Sequence, residues 1–496
     1  MIKKRSYYIQ ERDDTMSNYN SQEQTIYRNL AGKIQLGFYD DGARFPSAKE
    51  IAEMFQVSYC PAQRALKMLE AEGLIKLCRG KATIVLAKPF QNYLESDIFK
   101  RRSKSLLDLV KAIKLLSPAI CSHGASHMET GGIFEQTHSQ SLPYRNTNMW
   151  IQFEQSLFAL GSHTALSLYY DISAFAGSSF LDILRLVCGD QKAGILIHST
   201  ADEYLRYIQN DKKYGSAITT RHLDKLAETF FWIIENYLED MPPIPEDLNQ
   251  ELFYWEPQKG RTRYCDVVAI DLICKINQGI YPVGTLLPHI SVIADTYHIS
   301  EITARRTIML MNKLGVVKTL NGIGTRVIFA GDASIPQKLQ DLTLDDNMII
   351  FLEALQFLAI TGEAVMAYTF PYISEPLLED IVYAASIPGH ERSRVATVSA
   401  VLQAIVRSCP LAAIREIYSK LTHLLLKGSI LRLETTGNES IPGWPGTVDS
   451  ILKGCQTPDG TELAAACRQL FVNNFVSTKQ TLLDLGIHKA EKVTGF

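Results

Sequence analysis

The chain has 496 residues, 46% of them apolar and 21% charged, with a formal net charge of -3. That length sets a prior of roughly three or four domains, and the near-neutral balance excludes a chain that is basic throughout, so binding to a polyanion would need a local cationic face. Nine cysteines without close pairing fit a reducing, cytoplasmic compartment rather than a disulfide framework.

Residues 1–21 are polar, lack the apolar core of a signal segment, and read as a flexible arm. From there Ile26, Leu30 and Ile34 recur at helical spacing up to Gly37. A short loop reaches Pro46, and Ser47 with Glu50 has the capping-box spacing that opens a short helix to Phe55. Ser58 is a second cap candidate, opening a longer helix to about Glu72 that Gly73 terminates. Pro61 falls in the first turn of that helix, where no intrahelical N–H bond is lost. Two β-type runs, Leu74 to Leu77 and Thr83 to Leu86, then flank Arg79-Gly80-Lys81. Helix, helix–turn–helix and two-stranded wing make residues 22–88 a winged helix-turn-helix.

Residues 89–245 follow as a helical domain, with a Gly/Ser/His/Thr-rich loop near 117–148. Pro242-Pro243-Ile244-Pro245 marks a linker into residues 260–330, where the first motif returns. Laid on Val268–Ile328 at one offset of 242, Ile26–Leu86 matches without a gap, with 17 of 61 positions identical. Gly37, Gly42, Pro46, Ser58, Gly73 and Gly80 fall on Gly279, Gly284, Pro288, Ser300, Gly315 and Gly322, which marks a repeat. Residues 336–496 are again helical, loop-like over Gly443 to Gly460, with a last helix from about Thr461 to Phe471. The two helical regions echo each other, Glu154 lying opposite Glu353 and Tyr169 opposite Tyr368. The most apolar windows carry Glu154, or Glu353 and Glu363, so buried helices and no membrane span are expected. The expected fold is mostly α with small β wings, a duplicated winged helix-turn-helix plus an all-helical domain.

The stretches "GFYDDGARFPSAKEIAEMFQVS…RALKMLEAEGLIKLCRGKATIV" and "GIYPVGTLLPHISVIADTYHIS…RRTIMLMNKLGVVKTLNGIGTRV" resemble the DNA-binding domain of the GntR family of bacterial transcription regulators. The resemblance implies a sequence-specific, DNA-binding transcription regulator with double-stranded DNA as its partner. Its helical domains would sense a small-molecule effector or mediate dimerisation, in a monomeric pseudo-dimer or a homodimer. Both copies depart from the family pattern. The family's usual Arg at the start of the recognition helix is Tyr59 in the first copy and Glu301 in the second, and the basic residue at Lys49 becomes Ser291. An alternative is a protein–protein adaptor in which eroded winged helices serve as interaction modules.

In the first recognition helix, Ala62, Ala65, Leu66 and Leu69 must pack inward, leaving Tyr59, Gln63, Arg64 and Lys67 facing out. Gln can pair bidentately with adenine and Arg with guanine. Ser47, Lys49, Arg79, Gly80 and Lys81 complete the candidate DNA face of the first copy, and Arg305, Arg306, Gly322 and Arg326 form that of the second. Cys121, His123 and His127, with His138 beyond, lack a metal-binding spacing, so no metal is expected. No cofactor motif or catalytic constellation is present, and the chain is not expected to be an enzyme. Aromatic side chains on the helical regions (Trp150, Phe153, Phe158, Tyr169, Tyr170; Phe351, Phe357, Tyr368, Phe370) are candidate walls of an effector pocket.

Overall fold

The computed structural model describes residues 41–55, 57–78, 82–86, 93–128, 155–176, 179–210, 215–244, 248–257, 264–277, 279–297, 299–328, 345–428 and 443–496, with residue 153 and scattered positions between 23 and 39. The chain divides into two compact units, one of residues 1–90 with the short stretches 173–177 and 258–260, the other of the remainder.

In the first unit, helical positions 26, 30, 31 and 34 lie against β1 (Arg44–Phe45), α1 (Ala48–Met54), α2 (Tyr59–Ala71), β2 (Ile75–Lys76) and β3 (Thr83–Val85). The strands form an antiparallel sheet in the order β1-β3-β2. Arg44 and Lys76 both stand opposite Ile84. Among the described residues, Ile26, Leu30, Ile34, Phe45, Ile51, Leu66, Leu69, Ile75 and Val85 are buried together in its core. The capping box forms as its spacing predicts. Ser47 N–H donates to Glu50 Oε2 at 2.7 Å while Glu50 N–H donates to Ser47 Oγ at 3.3 Å. Gly73 ends α2 at φ 72°, a left-handed conformation that a side chain would strain.

The second unit begins with α3 (Asp97–Ser126), a 30-residue helix that runs straight through Pro118. The expected loop at 117–148 is therefore corrected at its start: residues 117–126 are helical, and 129–148 lie outside the described residues. Gly124 within it lets the Ser156 backbone approach closely, since a Cβ there would meet Ser156 O at 2.1 Å. Next come α4 (His163–Ala176), α5 (Ser179–Cys188), α6 (Asp190–Gln209) and α7 (Ser216–Glu239). Helices α3 and α7 pack together, tied by Lys111 to Glu239 at 2.8 Å and by Lys114 to Glu235 at 2.6 Å.

Residues 264–328 comprise α8 (Tyr264–Asn277), α9 (Ile290–Thr296), α10 (Glu301–Lys313), β4 (Val317–Leu320) and β5 (Gly324–Val327). Each bound of α9 and α10 sits 242 residues beyond that of α1 and α2. The hydrogen bonds repeat as well. Gly42 N–H donates to Val85 O at 2.9 Å and Gly284 N–H to Val327 O at 2.8 Å, while Ile75 pairs with Val85 as Val317 pairs with Val327. An isolated bridge from Leu286 to Arg326 stands where Arg44 meets Ile84.

Last come α11 (Asp345–Thr369), α12 (Glu375–Ala385), α13 (His390–Ser408), α14 (Ala412–Leu425), α15 (Trp444–Gln456) and α16 (Thr461–Asp484). Two expectations are corrected. The segment 443–460 is mostly helix α15, begun by Gly443 in a left-handed cap and Pro445 in the first turn, the position proline favours. Helix α16 runs on past Phe471 to Asp484, with Asn474 Nδ2 donating back to Leu470 O at 2.7 Å.

The helical stretches on either side of 264–328 pack against each other within one compact unit. Helix α3 packs on α11 and α14, and Asp108 accepts the N–H groups of Ala412 and Ala413 at 2.8 and 2.6 Å, capping α14. Trp255, fully buried, donates its indole N–H to Ser167 Oγ at 3.2 Å, its ring 6.4 Å from Phe357. The echo between the two helical regions differs in the backbone. Leu352–Thr369 lies inside unbroken α11, whereas its counterpart breaks at Gly161, where a Cβ would meet Lys492 O at 1.7 Å. Among the described residues one helix, 347–372, is long and apolar enough to cross a membrane, and 83% of its most apolar window is buried inside the protein.

Candidate nucleic-acid interface

Helix α2 buries Pro61, Ala62, Ala65, Leu66 and Leu69 and exposes Tyr59, Gln63, Arg64 and Lys67. The helical period thus sorts the side chains as the sequence implies. Arg64 is not an unattached cation: its guanidinium lies 3.3 Å from Glu23 Oε1. That contact links the outer face of α2 to helical position 23, ahead of β1 in the chain. Lys49 is exposed on α1. Ser47 is exposed too, with its hydroxyl accepting from the capping box. Arg79, Gly80 and Lys81 lie outside the described residues.

Cross-strand register brings together two further cations that sequence spacing does not reveal. Lys76 and Arg44 flank Ile84 on neighbouring strands, and both are exposed. Only the pairing puts them in one row, since 32 residues separate them along the chain. Arg44 also pairs with Glu50 at 2.8 Å. The Glu50 carboxyl is held below its ordinary range, first by the Ser47 N–H, then by the Ser47 hydroxyl and the Arg44 cation.

The 264–328 region repeats these helix bounds at the offset of 242 with other side chains. Glu301, Ile302, Arg305, Arg306 and Met309 are exposed on α10, while Ala304, Thr307, Ile308 and Met311 are buried. Glu301 reaches its neighbour one turn on, Arg305, at 3.3 Å. Ser300 caps α10 by accepting the Thr303 N–H at 3.2 Å, whereas Ser58 makes no such bond to α2. Gly322 turns the β4–β5 ribbon at φ 77°, and exposed Arg326 stands opposite exposed Lys318. The ion pair Arg44–Glu50 has no equivalent, because Leu286 and Val292 occupy those positions. His289 replaces Ser47, and its Nδ1 accepts the Ser291 N–H at 3.4 Å.

The other expected sites fare differently. Cys121 and His123 lie on α3 and not in a loop, and burial pushes the thiol up to about 12 and the imidazole down to about 4. Among the described residues no group of side chains is placed to hold a metal ion. Tyr169 and Phe357 are buried, Phe158 and Tyr368 are exposed, and Trp150 lies outside the described residues. A cleft of about 230 Å³ opens elsewhere, lined by Ile387, His390 and Ser393 on one side and Trp444, Val448 and Asp449 on the other.

Residues 22–85 match the family described as bacterial regulatory proteins, gntR family. The Uxu operon transcriptional regulator of Escherichia coli (strain K12) is 32% identical over 174 residues, an alignment covering 26% of this chain. The chain spans 65% of that relative's length. Among solved structures, Streptococcus agalactiae GntR aligns at 14% identity over 43% of this chain and 99% of its own, with a TM-score of 0.21. A GntR family member from Pseudomonas syringae pv. tomato str. DC3000 aligns at 13% identity over 46% of this chain and 92% of its own, with a TM-score of 0.19.

Proposed function

We propose that this chain is a sequence-specific, DNA-binding transcription regulator of the GntR family, acting in the bacterial cytoplasm on double-stranded DNA. The observation that carries the reading is the match of residues 22–85 to the family, on a helix–turn–helix whose outer face presents Tyr59, Gln63, Arg64 and Lys67. Side chains at the exposed start of such a helix reach base edges, while neighbouring cations hold phosphates. Lys49, Arg44 and Lys76 are the phosphate-holding candidates beside it.

Residues 264–328 are, on this reading, a second winged helix-turn-helix. The coincidence of element bounds, ladder register and turn hydrogen bonds at one offset supports it. Two such modules on one chain would span two half-sites without a second subunit, and because their outer residues differ the site would not be a perfect inverted repeat. The helical unit would sense an effector or mediate dimerisation, and the cleft at His390, Ser393, Trp444 and Asp449 is the candidate effector site.

The test is a gel shift of the full chain on the DNA upstream of its own gene, in a salt series. Phosphate contacts release counterions, so affinity must fall steeply as salt rises. Affinity that is absent, or flat with salt, would favour the adaptor reading instead.

A further inference from the structure

At the nine positions assigned to the DNA face of the first region, five side chains are cationic: Lys49, Arg64, Lys67, Arg79 and Lys81. At the same nine positions 242 residues on, two are cationic, Arg305 and Arg306, and one is acidic, Glu301. Because Glu301 and Arg305 pair with each other, little net charge remains at the start of α10. What fills the space is apolar. Ile302 and Met309 are 64% and 62% exposed. They stand seven residues apart, on one face of the helix. The same region also exposes cations: Arg306 on α10, and Lys318 opposite Arg326 on the ribbon, whose strand β4 packs against α10.

Exposed apolar side chains on a helix whose region also exposes cations match a polyanion whose groove displays methyl groups. In the major groove of B-DNA the apolar feature on the base edges is the thymine C5-methyl. We infer that α10 reads thymine methyl groups through Ile302 and Met309, with Arg306, Lys318 and Arg326 holding the flanking phosphates. This rests on the reading of residues 264–328 as a winged helix on DNA. It goes further by naming what is recognised: a half-site read by shape and apolar contact, unlike the polar readout available to Tyr59, Gln63 and Lys67. Cys60 and Lys67 are the residues the first region has at the two positions.

The experiment uses the full chain and a duplex selected by it from a random pool. Each thymine of the protected site is replaced singly by deoxyuridine, which removes only the methyl. The expected result is a loss of about fourfold in affinity at each contacted thymine, the value of one buried carbon. Met309→Ala should weaken binding to the thymine duplex and abolish its preference over the uracil duplex at one or more of those positions. Folding is not at issue for so exposed a side chain, and circular dichroism checks it. Equal affinity for thymine and uracil at every position overturns the inference while leaving DNA binding intact. So does a protected site on which Met309→Ala and Ile302→Ala are both silent. A Met309→Ala chain that changes its mass by light scattering, with its uracil response unaltered, would assign the face to a second copy and overturn the inference. Failure to select any duplex removes the DNA-binding reading itself.

Discussion

Residues 22–86 and 264–328 share a backbone plan but sit in different kinds of core. Among the described residues, the first buries a cluster whose side chains come from positions 26–85. The second is continuous with the helical body. Val268, Ile273, Ile308 and Met311 are buried in one cluster with Met348, Leu352 and Leu355 of α11 and with Phe475 and Leu482 of α16. The comparison teaches that one plan can serve as a self-sufficient module or as one wall of a larger core. What decides is which apolar side chains the flanking sequence brings to its back.

Truncation tests this most severely. A fragment of residues 22–88 should fold alone, with a cooperative melt by circular dichroism, although a domain of that size is marginal. A fragment of residues 260–330 should not, since α11 and α16 supply part of its core. Cooperative melting of the second fragment would break the comparison. Next in size is Phe475→Ala, which removes a fully buried ring from the shared cluster. It should destabilise the second unit by about 3–5 kcal/mol. A calorimetric transition assigned to residues 22–86 should stay where it is.

Smaller effects sharpen the contrast at the helix starts. Ser300→Ala should cost about 1 kcal/mol, because Ser300 caps α10 through the Thr303 N–H. Ser58→Ala should cost far less, since its side chain makes no cap bond. Denaturant midpoints of the two variants measure the difference. At Glu301, replacement by Arg should steepen the salt dependence of DNA binding by about one phosphate contact. An unchanged slope would confine Glu301 to its pair with Arg305 and to the positive end of its own helix.

The smallest expected effect is a pH dependence confined to the first region. The folded Glu50 carboxyl lies below its ordinary value of 4.5, so it stabilises the fold above that value and the contribution fades as pH falls through the folded one. Melting of the 22–88 fragment from about pH 5 to about pH 3 should fall more steeply than that of its Glu50→Gln variant. Val292 stands at the equivalent place and brings no such dependence.

Much of the first region was legible because each local signal agreed with the others: Ser47 with Glu50, Gly73 after α2, and the inward run from Ala62 to Leu69. The second was legible through its likeness to the first, since its own capping box is absent and His289 takes the role through a ring nitrogen. The helices at 117–126 and 444–456 were hidden by Pro118, Gly124, Gly443 and Pro445. These residues read as breakers locally yet serve a close backbone contact or a helix start. The union of the helical stretches around Trp255 was not legible, because no local pattern tells a linker from a strand of core that happens to contain prolines. The row Lys76–Ile84–Arg44 needed strand register, which sequence spacing does not supply.

Glu353 has a consequence for how the chain is made. It sits fully buried in a helix apolar enough to resemble a membrane span, and its Oε2 accepts the Thr164 N–H and hydroxyl at 3.0 and 2.6 Å. A carboxylate at the centre of such a segment would cost about 2.5–3.5 kcal/mol on insertion scales, and Glu353, seven residues in, costs less but in the same direction. During synthesis Thr164 leaves the ribosome long before Glu353, so the donors this carboxylate needs already exist when it emerges. Order of translation thus favours the folded destination of the helix over the lipid one.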